Sequence, residues 1–99
     1  MRVELHDEAR TELDHAAHYY DGEVSGLGAR YLDQMWHSIG RIIDSPQIGA
    51  PQRKGLRKLV SAGPFRYSII YAIRGETIFI VAFASHYRRP GYWRRRAVR

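Results

Sequence analysis

The chain has 99 residues, 44% of them apolar and none of them cysteine, which fits one domain with a modest core and excludes a disordered chain, a disulfide framework and a thiolate metal site. Its net charge of +6 is unevenly spread: residues 1–50 hold four basic and nine acidic side chains, whereas residues 51–99 hold twelve basic and one acidic, so the second half attracts polyanions or acidic protein surfaces. The longest apolar run, Ile78 to Ala84, is far short of the roughly 20 residues of a membrane span, and the opening MRVELHDEAR has no apolar segment typical of a signal peptide, so a cytoplasmic protein without membrane contact is expected.

Val3 and Leu5 alternate with Arg2 and Glu4, the pattern of a short strand. Asp7 is placed to cap a helix, and Ala9, Leu13, Ala16, Ala17 and Tyr20 follow at helical spacing, with Asp21-Gly22 as the stop. Ser25 starts a second helix. Its apolar stripe is Ala29, Leu32, Met35, Trp36, Ile39, Ile42 and Ile43, and Asp44-Ser45-Pro46 ends it. Gly40 inside that stripe costs about 1 kcal/mol against alanine, which a close helix crossing there would explain. The two helices, about 7–45, form an antiparallel hairpin.

The segment PQIGAPQRKG, residues 46–55, reads as a loop. A strand over Leu56 to Ala62 and a turn at Gly63-Pro64 come next. Phe65, Tyr67, Ile69, Tyr71 and Ile73 then occupy every second position of a further strand. Arg74-Gly75 reverses the chain into Thr77–Ser85, which is apolar on both faces and therefore central. The strands run over about 56–86, and a basic tail fills 87–99. The order βααβββ, with helices segregated from the strands, predicts a single α+β domain over 1–99 whose hairpin packs on a small antiparallel sheet.

Few side chains suggest chemistry. His15 and His18, with Asp14, lie one helical turn apart, but no third strong ligand is placed, so no metal is expected. Gly26-Leu27-Gly28 lacks the preceding strand and the lysine of a phosphate loop, so no nucleotide cofactor is expected either. Asp33, His37 and Arg41 read as surface charge pairs. Tyr20 is in phase with the core, whereas Tyr19 is free to face outward. The tail HYRRPGYWRRR, His86 to Arg96, puts five arginines, two tyrosines, a tryptophan and a histidine into eleven residues. Pro90 cannot donate to a sheet ladder, so pairing ends near it. Tyr92 and Trp93 are expected to fold back and pack in part, leaving Arg88, Arg89, Arg94, Arg95 and Arg96 outward.

These pieces together resemble the RelE/ParE superfamily of type II toxin–antitoxin toxins. The features that carry the resemblance are Glu12-Leu13 to Tyr19-Tyr20, the Gly26–Gly28 GLG before a long apolar helix, and Pro46 ending that helix. PFRYSIIY (Pro64 to Tyr71) and HYRRPGYW (His86 to Trp93) complete the set. The resemblance implies a helical hairpin on a small antiparallel sheet and a cognate antitoxin that wraps and neutralises the toxin, in an assembly such as a heterotetramer. The hairpin and the tail are ParE-like, which implies DNA gyrase as target, growth arrest as outcome and no catalytic residue. The tail residues Arg88, Arg89, Tyr92, Trp93, Arg94, Arg95 and Arg96 are then the target contacts. Leu56, Arg57, Lys58, Arg66 and Tyr19 are expected to contact the antitoxin. The RelE-like alternative is a ribosome-dependent, metal-independent mRNA endonuclease. It needs an acid, a base and phosphate-binding cations, to be drawn from Arg53, Lys54, Arg66, His86, Tyr87 and Arg89. A non-enzymatic nucleic-acid-binding module is the third reading, and steep salt dependence would mark it.

Overall fold

The computed structural model describes residues 1–96 and Val98; Ala97 and Arg99, part of the expected tail, lie outside the described residues. The chain runs β1 (Arg2–Leu5), α1 (Asp7–Glu23), α2 (Leu27–Asp44), β2 (Ala50–Pro51), a single 3-10 turn (Arg53–Gly55), β3 (Leu56–Val60), β4 (Tyr67–Arg74) and β5 (Thr77–Ser85). The five strands form one sheet in the order β1-β5-β4-β3-β2. The α+β class holds. The sheet is mixed, because β1 joins the edge parallel to β5 while the other pairings are antiparallel. Strand periodicity is the same for either neighbour, so it carries no information on this point.

Helix boundaries differ from the sequence reading by the chemistry of their caps. His6, not Asp7, caps α1, its Nδ1 accepting from the Glu8 N–H at 3.0 Å. The helix runs past Asp21-Gly22 to Glu23 because Asp21 serves the next helix instead. Its carboxylate accepts from the N–H groups of Gly26 and Gly28, both at 3.0 Å. Gly26, at φ 88, precedes the first residue of α2, so Ser25 is not the cap. The loop expected over 46–55 contains β2, which pairs with β3 through Ala50 and Pro51.

The core lies between the hairpin and one sheet face. Tyr31, Met35, Ile39 and Ile42 of α2 and Ala9 and Leu13 of α1 meet Ile69, Tyr71, Ile78, Ile80 and Phe83. Burying each such aliphatic or aromatic side chain is worth about 1.5–3 kcal/mol. The stripe on α2 is rotated from the expected one. Ala29, Trp36 and Ile43 are exposed, and Tyr31, Gln34 and Ser38 are buried. Two of these are polar and find partners that periodicity cannot show. The Gln34 amide donates to Ser61 Oγ (3.0 Å) and Phe65 O (2.8 Å) and accepts from Phe65 N–H, while Ser38 Oγ meets Ser61 Oγ at 2.6 Å. Close helix approach occurs at Gly28, where a Cβ would overlap the Ala17 carbonyl; Gly40 faces open space.

Tyr31 packs among the rings of Tyr20, Phe65 and Tyr67, but its buried hydroxyl has no hydrogen-bond partner among the described residues. Burial pushes its pKa far above the ordinary tyrosine value. A buried unsatisfied hydroxyl costs about 1–3 kcal/mol. Tyr31→Phe is therefore expected to raise the stability by about 1 kcal/mol in urea titration; a loss of that size would mean the hydroxyl is satisfied in solution.

The second sheet face is covered by the tail. Leu56, Ile70, Ala72, Phe79, Val81, Ala82 and Ala84 bury themselves against Trp93, with Tyr92 and Val98 alongside. A β-bulge makes this possible. Ile70 opposes Ala82 and Tyr71 opposes Ile80, leaving Val81 as the extra residue of β5. Strict alternation would put Val81 and Phe83 on one face. The bulge instead sends Val81 to the tail face and Phe83 to the helix face.

Candidate functional site

β5 extends beyond the end of β1, whose register stops at Leu5 opposite Ile80. The edge of β5 past Ile80 therefore exposes backbone groups that a neighbouring strand would otherwise satisfy. Glu12 on α1 fills this gap, its Oε1 accepting from the Phe83 N–H at 3.1 Å. Arg96 donates to the Val81 carbonyl at 3.0 Å and grips both oxygens of Glu12, at 2.8 and 3.0 Å. Arg96 Nε also pairs with Glu8 at 2.8 Å. The Tyr92 hydroxyl donates to the second oxygen of Glu12, and the Tyr92 ring lies under two guanidinium groups, Arg88 at 3.7 Å and Arg96 at 5.1 Å from its centroid.

The electrostatics follow from this geometry. Burial, then the hydrogen bond and charge of Glu12, push the Tyr92 hydroxyl far above the ordinary tyrosine range, against the opposing charges of Arg88 and Arg96. Burial works against the charged form of Arg96, but the hydrogen bond and charge of Glu12 outweigh it and hold the guanidinium charged. One carboxylate thus latches the tail onto α1 and the bulged edge. Glu12 carries this role without having been singled out for it. It sits one position before Leu13, at the border of the buried stripe; an acid in that phase, and its place in the Glu12-Leu13 pair that carries the resemblance, were the available signals.

The expected tail contacts divide into two groups. Arg88, Arg89, Arg94 and Arg95 are exposed, as expected. Trp93 packs into the second core cluster at 9% exposure, more deeply than a partial fold-back. Arg96 is turned inward, its side chain 9% exposed, which corrects the expectation that it faces outward. Tyr92, Trp93 and Arg96 shape the tail, and the other four arginines line its outside.

The residues expected to meet an antitoxin do not share one surface. Leu56 is buried beneath the tail. Arg57 is committed to the carbonyls of Gln47 and Gly49, at 3.1 and 2.7 Å, and holds the loop before β2. Lys58 is on the tail side of the sheet, Arg66 is exposed ahead of β4, and Tyr19 is 61% exposed on α1. Tyr19 borders a groove of about 500 Å3 between α1 and the tail, together with His15, Ala16, Tyr67, Phe83 and Arg88.

Of the residues considered for RNA cleavage, His86 and the pair Arg53 and Lys54 line different clefts. His86 Nε2 is hydrogen-bonded to Ser68 Oγ at 2.9 Å, and the His86 N–H donates to the Arg66 carbonyl at 3.0 Å. This histidine lines a cleft with Lys58 and Arg88. Arg53 and Lys54 line another with Arg94, and Trp93 forms a wall of both. Tyr87 is 86% exposed and, like Arg89, lines neither cleft. Among the described residues no group of three His, Cys, Asp or Glu side chains is placed to hold a metal, His15 and His18 included. No helix among them is long and apolar enough to cross a membrane.

Comparison with known proteins agrees with this architecture. No curated protein matches the sequence significantly. Among solved structures, a chain described as the chromosomal ParDE TA system from P. aeruginosa superposes with a TM-score of 0.63 at 18% identity. The match covers 86% of this chain and 95% of that one, and at this identity it speaks to the fold. The family model for the ParE toxin of the type II toxin–antitoxin system parDE matches residues 3–90. That span takes in the hairpin, all five strands and the start of the tail, and the chain belongs to the ParE toxin family of type II toxin–antitoxin systems.

Proposed function

We propose that this toxin arrests growth by binding DNA gyrase through the outer side of its tail, and that a cognate antitoxin neutralises it. The observation that carries the reading is the latch: four exposed arginines are presented on a segment fixed at Tyr92, Trp93 and Arg96. A pre-ordered basic surface loses little conformational entropy on binding a macromolecule. The dispersal of His86, Arg53, Lys54, Tyr87 and Arg89 favours this over RNA cleavage, because an acid, a base and phosphate-binding cations must converge on one bond.

The antitoxin segment fits the groove beside Tyr19 better than the sheet edge around Leu56 and Arg57, whose side chains are already engaged. Tyr19, Ala16 and Phe83 offer apolar contact there, and Arg88 offers a cation. An antitoxin that pairs through its other half would give a heterotetramer.

The test is inhibition of gyrase supercoiling by the purified chain and by a variant carrying Arg89→Glu, Arg94→Glu and Arg95→Glu. Hot-spot truncations cost about 2 kcal/mol or more, so the variant is expected to need roughly 30-fold more protein for the same inhibition. Its melting temperature should hold, since surface substitutions stay within about 0.5 kcal/mol. Undiminished inhibition by the variant would remove the tail from the target interface, and mRNA cleavage on ribosomes with gyrase untouched would overturn the reading.

A further inference from the structure

The two clefts on the tail side of the sheet share a wall, Trp93, and a charge. One, of about 240 Å3, is lined by Lys58, Val60, Ser68, Ala84, His86, Arg88 and neighbouring tail residues. The other, of about 210 Å3, is lined by Gln52, Arg53, Lys54, Leu56, Trp93 and Arg94. Neither lining contains an aspartate or glutamate, in contrast to the groove beside α1, which contains Glu8 and Glu12. Of the five cations, Arg88 is shared with Glu12 at 3.4 Å. Arg53, Lys54, Lys58 and Arg94 have no ion pair among the described residues. A row of unneutralised cations on a compact domain repels itself, and an anion relieves that repulsion.

Three further details point to the kind of anion. Leu56 and Lys58 stand two residues apart on β3, about 7 Å along the strand. They line the two clefts separately, so a linear polyanion crossing Trp93 meets cations on both sides. Tyr87, between the cleft-lining His86 and Arg88, is 86% exposed with no ring partner among the described residues. An open ring flanked in the chain by two cleft-lining residues is available for an unpaired base to stack on. Lys54 holds a left-handed backbone at φ 58, the only non-glycine residue that does so among those described. That conformation is unfavourable for lysine, and its chain here lines the second cleft.

We propose that the tail-side face of the sheet is a binding site for single-stranded nucleic acid, its phosphates held by Lys58 and Arg88 on one side of Trp93 and by Arg53, Lys54 and Arg94 on the other. Tyr87 stacks on a base at the rim. The site binds without cleaving, and it stands independently of the gyrase reading because it is tested on the chain alone.

The experiment uses the full chain carrying Trp36→Phe, which leaves Trp93 as the sole tryptophan. It is titrated with a single-stranded oligothymidylate while Trp93 emission is followed at several salt concentrations. Binding is expected to shift the emission and to weaken with salt at a log–log slope of about −3.5, since each of five contacts on a single strand contributes roughly −0.7. Lys58→Glu with Arg94→Glu is expected to weaken binding at least tenfold, and Tyr87→Ala roughly tenfold through lost stacking. Lys54→Gly removes a cation while relieving the left-handed backbone, so its expected several-fold loss cannot come from unfolding. A slope near zero, equal affinity for the charge-reversed and Lys54→Gly variants, or equal affinity for duplex DNA or polyglutamate would each overturn the proposal.

Discussion

Glu12→Ala is expected to lower stability by about 3 kcal/mol, the scale on which removing one partner of a buried ion pair destabilises a protein. For a domain of this size that is a fall in melting temperature of roughly 15 °C. The reason lies in what Glu12 leaves behind. Arg96 keeps a side chain that is 9% exposed, and its charge loses the bidentate acceptor that offsets burial. The Phe83 N–H and the Tyr92 hydroxyl lose the same carboxylate. The loss also has a local signature. Trp93 emission should move to the red and amide exchange at Phe83 should quicken, because both depend on the latched tail. Replacing both partners, Glu12→Leu with Arg96→Met, should restore part of the stability, since an apolar pair avoids the desolvation of two charges but leaves the Phe83 N–H, the Tyr92 hydroxyl and the Val81 carbonyl without these partners. Glu12→Ala melting like the native chain, with Trp93 still buried, would show that apolar packing alone holds the tail. If the latch does set the tail, Glu12→Ala should also weaken gyrase inhibition, even though Glu12 lies outside the exposed arginine surface.

The second large effect separates two glycines of the same helix. Gly28→Ala should destabilise the fold by about 3 kcal/mol, combining overpacking of roughly 1–3 kcal/mol with damage to a cap worth about 1 kcal/mol. A Cβ at Gly28 would overlap Ala17 O and stand 3.1 Å from Asp21 Oδ1, the atom that caps the start of α2. Gly40→Ala should do the opposite. Nothing lies within 4 Å of its Cβ position, so the substitution gains the roughly 0.5–1 kcal/mol that alanine holds over glycine in a helix interior. Urea titration of both variants checks the pair. A tolerated Gly28→Ala would mean that the hairpin can open at its tight end without loss.

The two glycines show where sequence reasoning stops. An unfavourable residue in a helix signals that something compensates, but only the approach of the partner helix says which glycine is compensated. The rotation of the α2 stripe has a similar origin. Trp36 and Ile43 belong to the apolar stripe by type and spacing, whereas Gln34 and Ser38, being polar, fall outside any such pattern. The structure buries Gln34 and Ser38 because Ser61 and Phe65, about thirty residues away in the chain, satisfy their hydrogen bonds. Tail residues show the same limit. Arg96 was placed outside with the other arginines, and its acceptors, Glu12 and Val81, come from elements distant in sequence.

What the sequence determined by itself was the order of the elements other than β2, the α+β class, the alternation that puts Phe65, Tyr67, Ile69, Tyr71 and Ile73 on the helix face, and the charge that gathers in the second half. These depend on local periodicity and composition, which a linear chain carries in full. The tertiary structure alone decided that β1 runs parallel to β5, that a bulge at Val81 re-aims the end of that strand, and that Glu12 latches the tail over the second sheet face. Each of these satisfies hydrogen bonds or charges between residues far apart in the chain, and such pairings exist only once the chain has folded.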